Sequence, residues 1–408
     1  MTTYIVVEGD SFERISRLSY GSDELANVIK SANPQAAGGL SPGMTLTIPA
    51  VDVLPGPLVP QTIAGRQNEV SISINGEVFR FWETMQLQRS IDSFDTFMLD
   101  APFEPTNQVF VDAFTPLGYN RVVINVDGDP LFSGFLVDVP TDVGPTEGTV
   151  QATGYALAGL LNDSMMPNTA YPVEFDNMDL RDITLSLIKP FGLTATFTSD
   201  PGPQIDRIAI EEPTKVLRFL INGAQQRGLV IGNDVRGMPV FQKAAAGAPV
   251  ENLVQGESPV TNVTNNFNPQ KFYSHVTALT PATIGNDGSA FTVENPHLRG
   301  VVRPFVFRAV DTFGADAAEA ARAKAGFMFA NALSYTVNVA GWETRNGLRW
   351  AENQRVNLLA PRAMVYSNFE FLIRSVTLFR DANEDRAALE LVLPGSFEGV
   401  IPERLPWQ

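Results

Sequence analysis

Cysteine is absent from the 408 residues, which excludes disulfides, thiolate catalysis and cysteine-ligated metals. Histidine is scarce: His275 and His297 are the only two, and neither has a motif partner within its own element. Lone histidines of this kind read as surface or core residues before they read as ligands or bases. Positive charge is the scarcer sign, with 29 Lys and Arg against 45 Asp and Glu, for a net charge of -16. A surface that acidic does not hold DNA or anionic lipid by simple attraction, though it suits a channel that DNA must leave without sticking. Long apolar runs are missing, so nothing is suited to span a bilayer, and Met1-Thr2-Thr3-Tyr4 lacks a basic segment ahead of an apolar one. The expectation is a protein made in a cytoplasm and delivered by some later event. Nucleotide loops are missing as well: Gly154 to Gly159 lacks the GxGxxG order, and no GxxxxGK[ST] occurs.

What is present is 44% hydrophobic and 18% charged residues, enough for two or three domains with real cores. Residues 1–50 read as a βααβ unit. Tyr4-Ile5-Val6-Val7 is a short strand, and Asp10 or Ser11 can cap the helix that follows. Phe12, Ile15, Ser16 and Leu18 give that helix its inner face. Ser22 or Asp23 caps a second helix with Leu25, Val28 and Ile29 inside, Ala32-Asn33-Pro34 breaks it, and Leu46-Thr47-Ile48-Pro49 is the closing strand. Residues 51–67 follow as an extended connector, because Pro55, Pro57 and Pro60 cannot build a helix.

From 68 to 153 the period is two: Val70, Ile72 and Ile74 alternate with Ser71, Ser73 and Asn75, and Asn75-Gly76 turns a hairpin into Val78–Phe81. Met85–Ile91, Val122–Val126 and Leu131–Asp138 continue it, pointing to a small barrel or a curled sheet. Residues 154–251 mix helix and strand. Asp179 or Asn177 caps a helix over Leu180–Ile188, and Leu193–Thr198 is a strand. Val216, Leu217, Leu220, Ile221 and Ala224 share one helical face, Gly228 ends that helix, and Leu229–Ile231 with Pro239–Phe241 form a hairpin around the polar Asn233–Gly237. This helix and hairpin make a central brace. From 252 to 400 strands return, at Tyr273–Leu279, Val302–Phe307, Tyr335–Val339, Val356–Leu359, Phe369–Phe379 and Ala388–Pro394, with an alanine-rich helix at Ala315–Ala332 and a second barrel as the result. Residues 401–408 are a C-terminal tail. The fold class expected is therefore mainly β with α+β parts.

Tyr4, Gly9-Asp10-Ser11, Ile15, Tyr20-Gly21, Ile29, Ala32-Asn33, Leu40, Pro42-Gly43 and Leu46–Pro49 together resemble a LysM domain, departing at Ser11 and Phe12, where that family usually has threonine and leucine. The resemblance implies a glycan groove lined by Gly9, Asp10, Ser11, Phe12, Asn33 and Pro34, or a docking role in which those residues only shape turns.

A second resemblance covers about 70 to 400. Ser73–Gly76 with Arg89-Ser90-Ile91, Phe175–Leu180 with Pro190–Leu193, Phe219-Leu220 with Gln226–Val230, Arg303-Pro304, Ala340-Gly341-Trp342, Leu348, Trp350 and Leu393–Phe397 occur in an order similar to the baseplate hub proteins of contractile phage tails, of the phage Mu and late-control D kind. That resemblance implies a homotrimer whose subunits each carry two tube-protein-like β-barrels separated by an α+β insertion. Three chains then present six barrels to a sixfold tail tube and a threefold face to a spike. Its partners are the spike, tail tube or tube-initiator proteins and baseplate wedge proteins, with peptidoglycan as a further one. Its place is the virion after synthesis in the host cytoplasm, and it implies no enzyme, cofactor or metal, no sequence-specific nucleic-acid binding and no membrane segment. The alternative reading is a LysM-targeted cell-wall hydrolase, which needs a carboxylate pair or a metal cluster. Asp311 and Asp316 flank a helix start, where capping explains them, and Glu384-Asp385 reads as a solvated turn.

Overall fold

Val6, Ile15, Ile29, Ala36, Leu46 and Ile48 are the apolar side chains that the first 50 residues bury together, and the elements are those that bring them there. In the computed structural model, which describes residues 2–408 apart from 8–9, 21–25, 37, 50–67, 105, 145–147, 167–172, 211–213, 245–246, 281–287, 299 and 310–316, the chain divides into two compact units, Met1–Gly65 and Arg66–Gln408. Gly9, the caps at Ser22 or Asp23, the connector 51–67 and the Asp311/Asp316 pair lie outside the described residues. In the first unit β1 (Thr2–Ile5) is followed by α1 (Phe12–Tyr20), α2 (Ala26–Ala32) and β2 (Thr45–Ile48), the expected βααβ order. The two strands pair antiparallel from Thr2↔Ile48 to Ile5↔Thr45.

In the second unit β3 (Val70–Ile74) and β4 (Glu77–Phe79) turn at Asn75-Gly76, both at positive φ, as a two-residue hairpin requires. Then come β5 (Thr84–Ser90), β6 (Thr96–Pro102), α3 (Gln108–Ala113), β7 (Arg121–Val126), β8 (Asp129–Asp138), β9 (Thr141–Val143) and β10 (Gly148–Ala156). The middle of the chain supplies α4 (Leu160–Asp163), β11 (Val173–Met178), α5 (Leu180–Ile188), β12 (Thr196–Phe197), β13 (Ile205–Ile210), α6 (Val216–Gln226), β14 (Val230–Asn233) and β15 (Pro239–Gln242). The last part contains β16 (Asn252–Val254), β17 (Val260–Phe267), β18 (His275–Leu279), β19 (Ala290–Glu294), β20 (Pro304–Arg308), α7 (Ala317–Ala332), β21 (Leu333–Ala340), β22 (Arg355–Ala360), β23 (Val365–Arg380) and β24 (Asp385–Val392).

One sheet of 14 strands runs β17-β21-β24-β23-β5-β6-β10-β8-β7-β3-β4, with β22 joining β16 to β23 and β9 on β10. It holds strands from both the 68–153 and the 252–400 stretches. They meet where β5 and β23 pair antiparallel, from Ser90↔Ser375 to Met85↔Arg380. Period-two alternation explains the join, because Leu87 and Leu378 sit opposite one another and both face the interior. One apolar core accordingly runs from Ile72 to Leu405 through both halves. The middle segment keeps a separate core, from Phe94 and Leu157 through Leu187, Leu220 and Phe241, under small sheets of β11-β13 and β12-β15-β14. A further small sheet, β19-β18-β20, carries α7 over Ala278 and Ala309.

Candidate functional site

Of the six residues expected to line a glycan groove, five are described: Asp10 and Ser11 precede α1, Phe12 opens it, and Asn33 and Pro34 follow α2. Asp10 has lost its side chain to the interior: its Oδ2 accepts from Tyr4 Oη at 3.0 Å and from Val7 N at 2.9 Å, and Arg14 Nε lies 3.7 Å from Oδ1. The hydrogen bond to Asp10 pushes the Tyr4 phenol above its ordinary value. Ser11 caps α1 by accepting from Arg14 N at 3.2 Å, and Phe12 packs half-buried on the unit's core. Asn33 is buried and saturated. Its Nδ2 donates to Ile29 O and Thr47 O, both at 2.7 Å, while its Oδ1 accepts from Thr47 N at 2.7 Å and Gln35 Nε2 at 3.1 Å. It thereby ties the end of α2 to β2, and Pro34 beside it is exposed. Asp10 Oδ2 and the whole Asn33 amide are committed to the fold, which leaves Ser11, Pro34 and the backbone as the more accessible groups.

The two histidines are held locally. His275 Nδ1 lies 2.8 Å from Ser274 Oγ, and that oxygen accepts from Arg303 N at 2.8 Å, so the hydroxyl ties together the starts of the parallel strands β18 and β20. His297 Nε2 is 2.5 Å from Pro402 O and fastens the C-terminal tail. That tail forms one wall of a cavity of about 730 Å³ shared with Phe267, Phe272, His297 and Phe329. Among the described residues no group of three or more His, Asp or Glu is placed to hold a metal ion. Glu384 stays exposed, but Asp385 departs from the solvated-turn reading. Its carboxylate takes a bidentate pair from Arg380, whose guanidinium lies 4.7 Å over the Trp342 ring.

A dense polar arrangement among the described residues was not singled out by sequence. It lies where the β5–β6 turn, the β14–β15 hairpin and β23 converge. β23 carries a register shift between Ile373 and Ser375, where it passes from pairing with β22 to pairing with β5. Arg374 occupies that shift. Its carbonyl accepts from Ile91 N at 3.0 Å, and its Nε and Nη2 donate to Asp92 Oδ2 at 3.0 and 2.6 Å. One residue before the turn, Arg89 Nε donates to Asp95 Oδ2 at 3.1 Å and Nη2 to Glu352 Oε1 at 2.8 Å.

The hairpin enters through Asn233, which is buried. Its Oδ1 accepts from Asp95 N at 2.8 Å and its Nδ2 donates to Asp95 Oδ2 at 2.9 Å, while Asn353 Nδ2 reaches Lys243 O at 3.2 Å. Two glycines permit the approach. A Cβ on Gly232 would lie 3.0 Å from Ser90 O. One on Gly237, at φ 78°, would lie 2.2 Å from Ser133 O. Burial pushes the Asp95 carboxyl up to about 7; Arg89 pulls against that rise and Glu352 adds to it. Burial also works against the charge of Arg89, yet Glu352 and Asp95 hold it above its ordinary value. Sequence reading took Asn233 for a turn residue, and only the non-local pairing of β5 with β23 reveals its role.

Residues 158–243, which contain that hairpin, match the family of baseplate hub protein gp44-like second domains. No curated protein matches the chain. Among solved structures it is similar to the 43 kDa tail protein of prophage MuSo2 from Shewanella oneidensis, at 21% identity and a TM-score of 0.68, covering 81% of this chain and 99% of that one. It is also similar to the tail protein from Neisseria meningitidis MC58, at 18% identity and 0.66, covering 82% and 99%. The prophage tail protein gp18 from Listeria monocytogenes EGD-e is similar at 10% identity and 0.52, covering 79% and 94%. The likeness to these proteins is one of fold.

Proposed function

We propose that the protein is the structural baseplate hub of a contractile phage tail or tail-like particle. The observation that carries this reading is the coincidence of two features. The fold of tail proteins extends over about four-fifths of the chain, and the segment similar to a baseplate hub domain is bonded to both the 68–153 and the 252–400 stretches. In this reading the hub is a homotrimer. The stretches 68–153 and 252–400 serve as two tube-like barrels per subunit, and the insertion 154–251 holds them at the angle a six-membered ring requires. Six similar barrels meet the tail tube, and the threefold face meets the spike. A closed ring of this kind needs heterologous contacts between subunits. The net charge of -16 suits a lumen through which DNA passes.

The first unit docks to neighbouring baseplate proteins or to peptidoglycan. Its role is non-catalytic, and Asn33, saturated between α2 and β2, agrees with a residue that maintains a shape. Cryo-electron microscopy of the isolated oligomer tests the reading: a threefold ring with six β lobes is expected. A monomer that clears a peptidoglycan suspension would instead establish a wall hydrolase. Deleting residues 1–60 should leave the oligomer intact and block tail assembly; tails that assemble normally and merely adsorb less well would contradict docking within the baseplate.

A further inference from the structure

Arg89 is enclosed with two carboxylates, Asp95 and Glu352, so this sealed cluster holds one more negative than positive charge. Asp95 is 1% exposed. Its Oδ2 is engaged twice, by Arg89 Nε and Asn233 Nδ2, whereas Oδ1 receives only a 3.3 Å bond from Ser90 N. Glu352 Oε2 is buried with no hydrogen-bond partner. The other charges packed around the cluster do not offset it. Asp92 and Glu390 share Arg374 and are themselves one negative charge in excess, while Asp234 faces Arg236 and Arg349 faces Asp127. Lys243 meets this region through its carbonyl. The surplus negative charge therefore stays with Asp95 and Glu352, and a buried surplus of this kind favours binding a proton.

We propose that Asp95, Arg89 and Glu352 form a proton-operated lock on the β14–β15 hairpin: one proton taken from solvent onto Asp95 tightens the hairpin against the β5–β6 turn, and its loss loosens it. Asn233 is the link, since it is bonded to Asp95 on both its amide oxygen and its amide nitrogen. Lifting the hairpin admits water to Asp95, and water rewards an ionised carboxylate far more than a neutral one. Closed, Asp95 binds its proton more tightly than in the unfolded chain. The stabilisation is therefore complete below the unfolded value and is lost as pH rises through the closed-state value of about 7.

Hydrogen exchange of the full chain, followed by mass spectrometry on peptides spanning 230–242 and corrected for intrinsic exchange, tests this. Protection of the hairpin should fall by up to about tenfold per pH unit between about pH 5.5 and about pH 7, then level off. Asp95→Asn, which keeps the shape of a protonated carboxyl, should hold high protection with no slope. Glu352→Gln, which removes the repelling charge, should move the transition to lower pH. Both histidines remain in each variant and cancel from the difference. A wild-type hairpin whose protection ignores pH would overturn the proposal, as would an Asp95→Asn protein with the wild-type slope. Should Asp95→Asn fail to fold, an unmoved transition in Glu352→Gln overturns it equally.

Discussion

The insertion and the two strand-rich halves around it bury their apolar surface in opposite ways. Residues 158–243 are contiguous, and their side chains close on themselves around Leu187, Leu220 and Phe241. The halves lie far apart in sequence, yet they share one core because β5 and β23 make their strands a single sheet. The insertion meets the sheet through a small apolar cluster, in which Val230 and Ala244 pack with Ile91, Leu372 and Val392, and through polar groups at Asn233, Asp95 and Arg89. A segment with its own core, attached by a small apolar cluster and directional hydrogen bonds, can be positioned without being merged.

The sharpest way to break this comparison is Leu220→Asp, which buries an unpaired charge in the insertion and should cost about 4–5 kcal/mol. Exchange protection over 158–243 should collapse while β21 and β24 stay protected; simultaneous loss in both would show that the two cores are energetically one. Phe371→Ala attacks the shared core and should cost about 3–5 kcal/mol. Thermal unfolding followed by exchange should then show β5–β6 and β21–β24 weakening together, and weakening confined to one half would contradict a common core. Gly237→Ala strains the hairpin, with its positive φ and the Ser133 carbonyl 2.2 Å from the new Cβ. About 2–3 kcal/mol is expected, read as lost protection of β14–β15. Asp10→Ala should have the smallest effect, about 1 kcal/mol, by orphaning Tyr4 Oη and Val7 N. Calorimetry should place that loss in the first unit with the transition of the second unmoved.

Much of the local structure was legible in the sequence because it is written in short-range pattern. The apolar stripe from Val216 to Ala224 forms α6, Gly228 takes φ 61° after its end, and the hairpin pairs Val230 with Gln242 as its alternation implies. Asp179 caps α5 through Asp182 N, as its position suggested. Other elements escaped. β13 was missed because Asp206 and Arg207 interrupt its apolar residues, although it pairs with β11 from Val173↔Ile210. α3 was missed because six residues hold too little periodicity, and Asn107 supplies its cap. The polar joint was beyond reach for a different reason: Arg89, Asn233, Glu352 and Arg374 come from four distant stretches, and no local pattern marks a pairing between them. In the first unit, sequence could not say that Asn33 had committed both its amide groups to Ile29 and Thr47.

The hub reading depends most directly on the number of chains that assemble. Mass photometry of the purified full-length protein should give a single stable species at three times the 44.4 kDa chain. A chain that remains at 44.4 kDa across the accessible concentration range would contradict it.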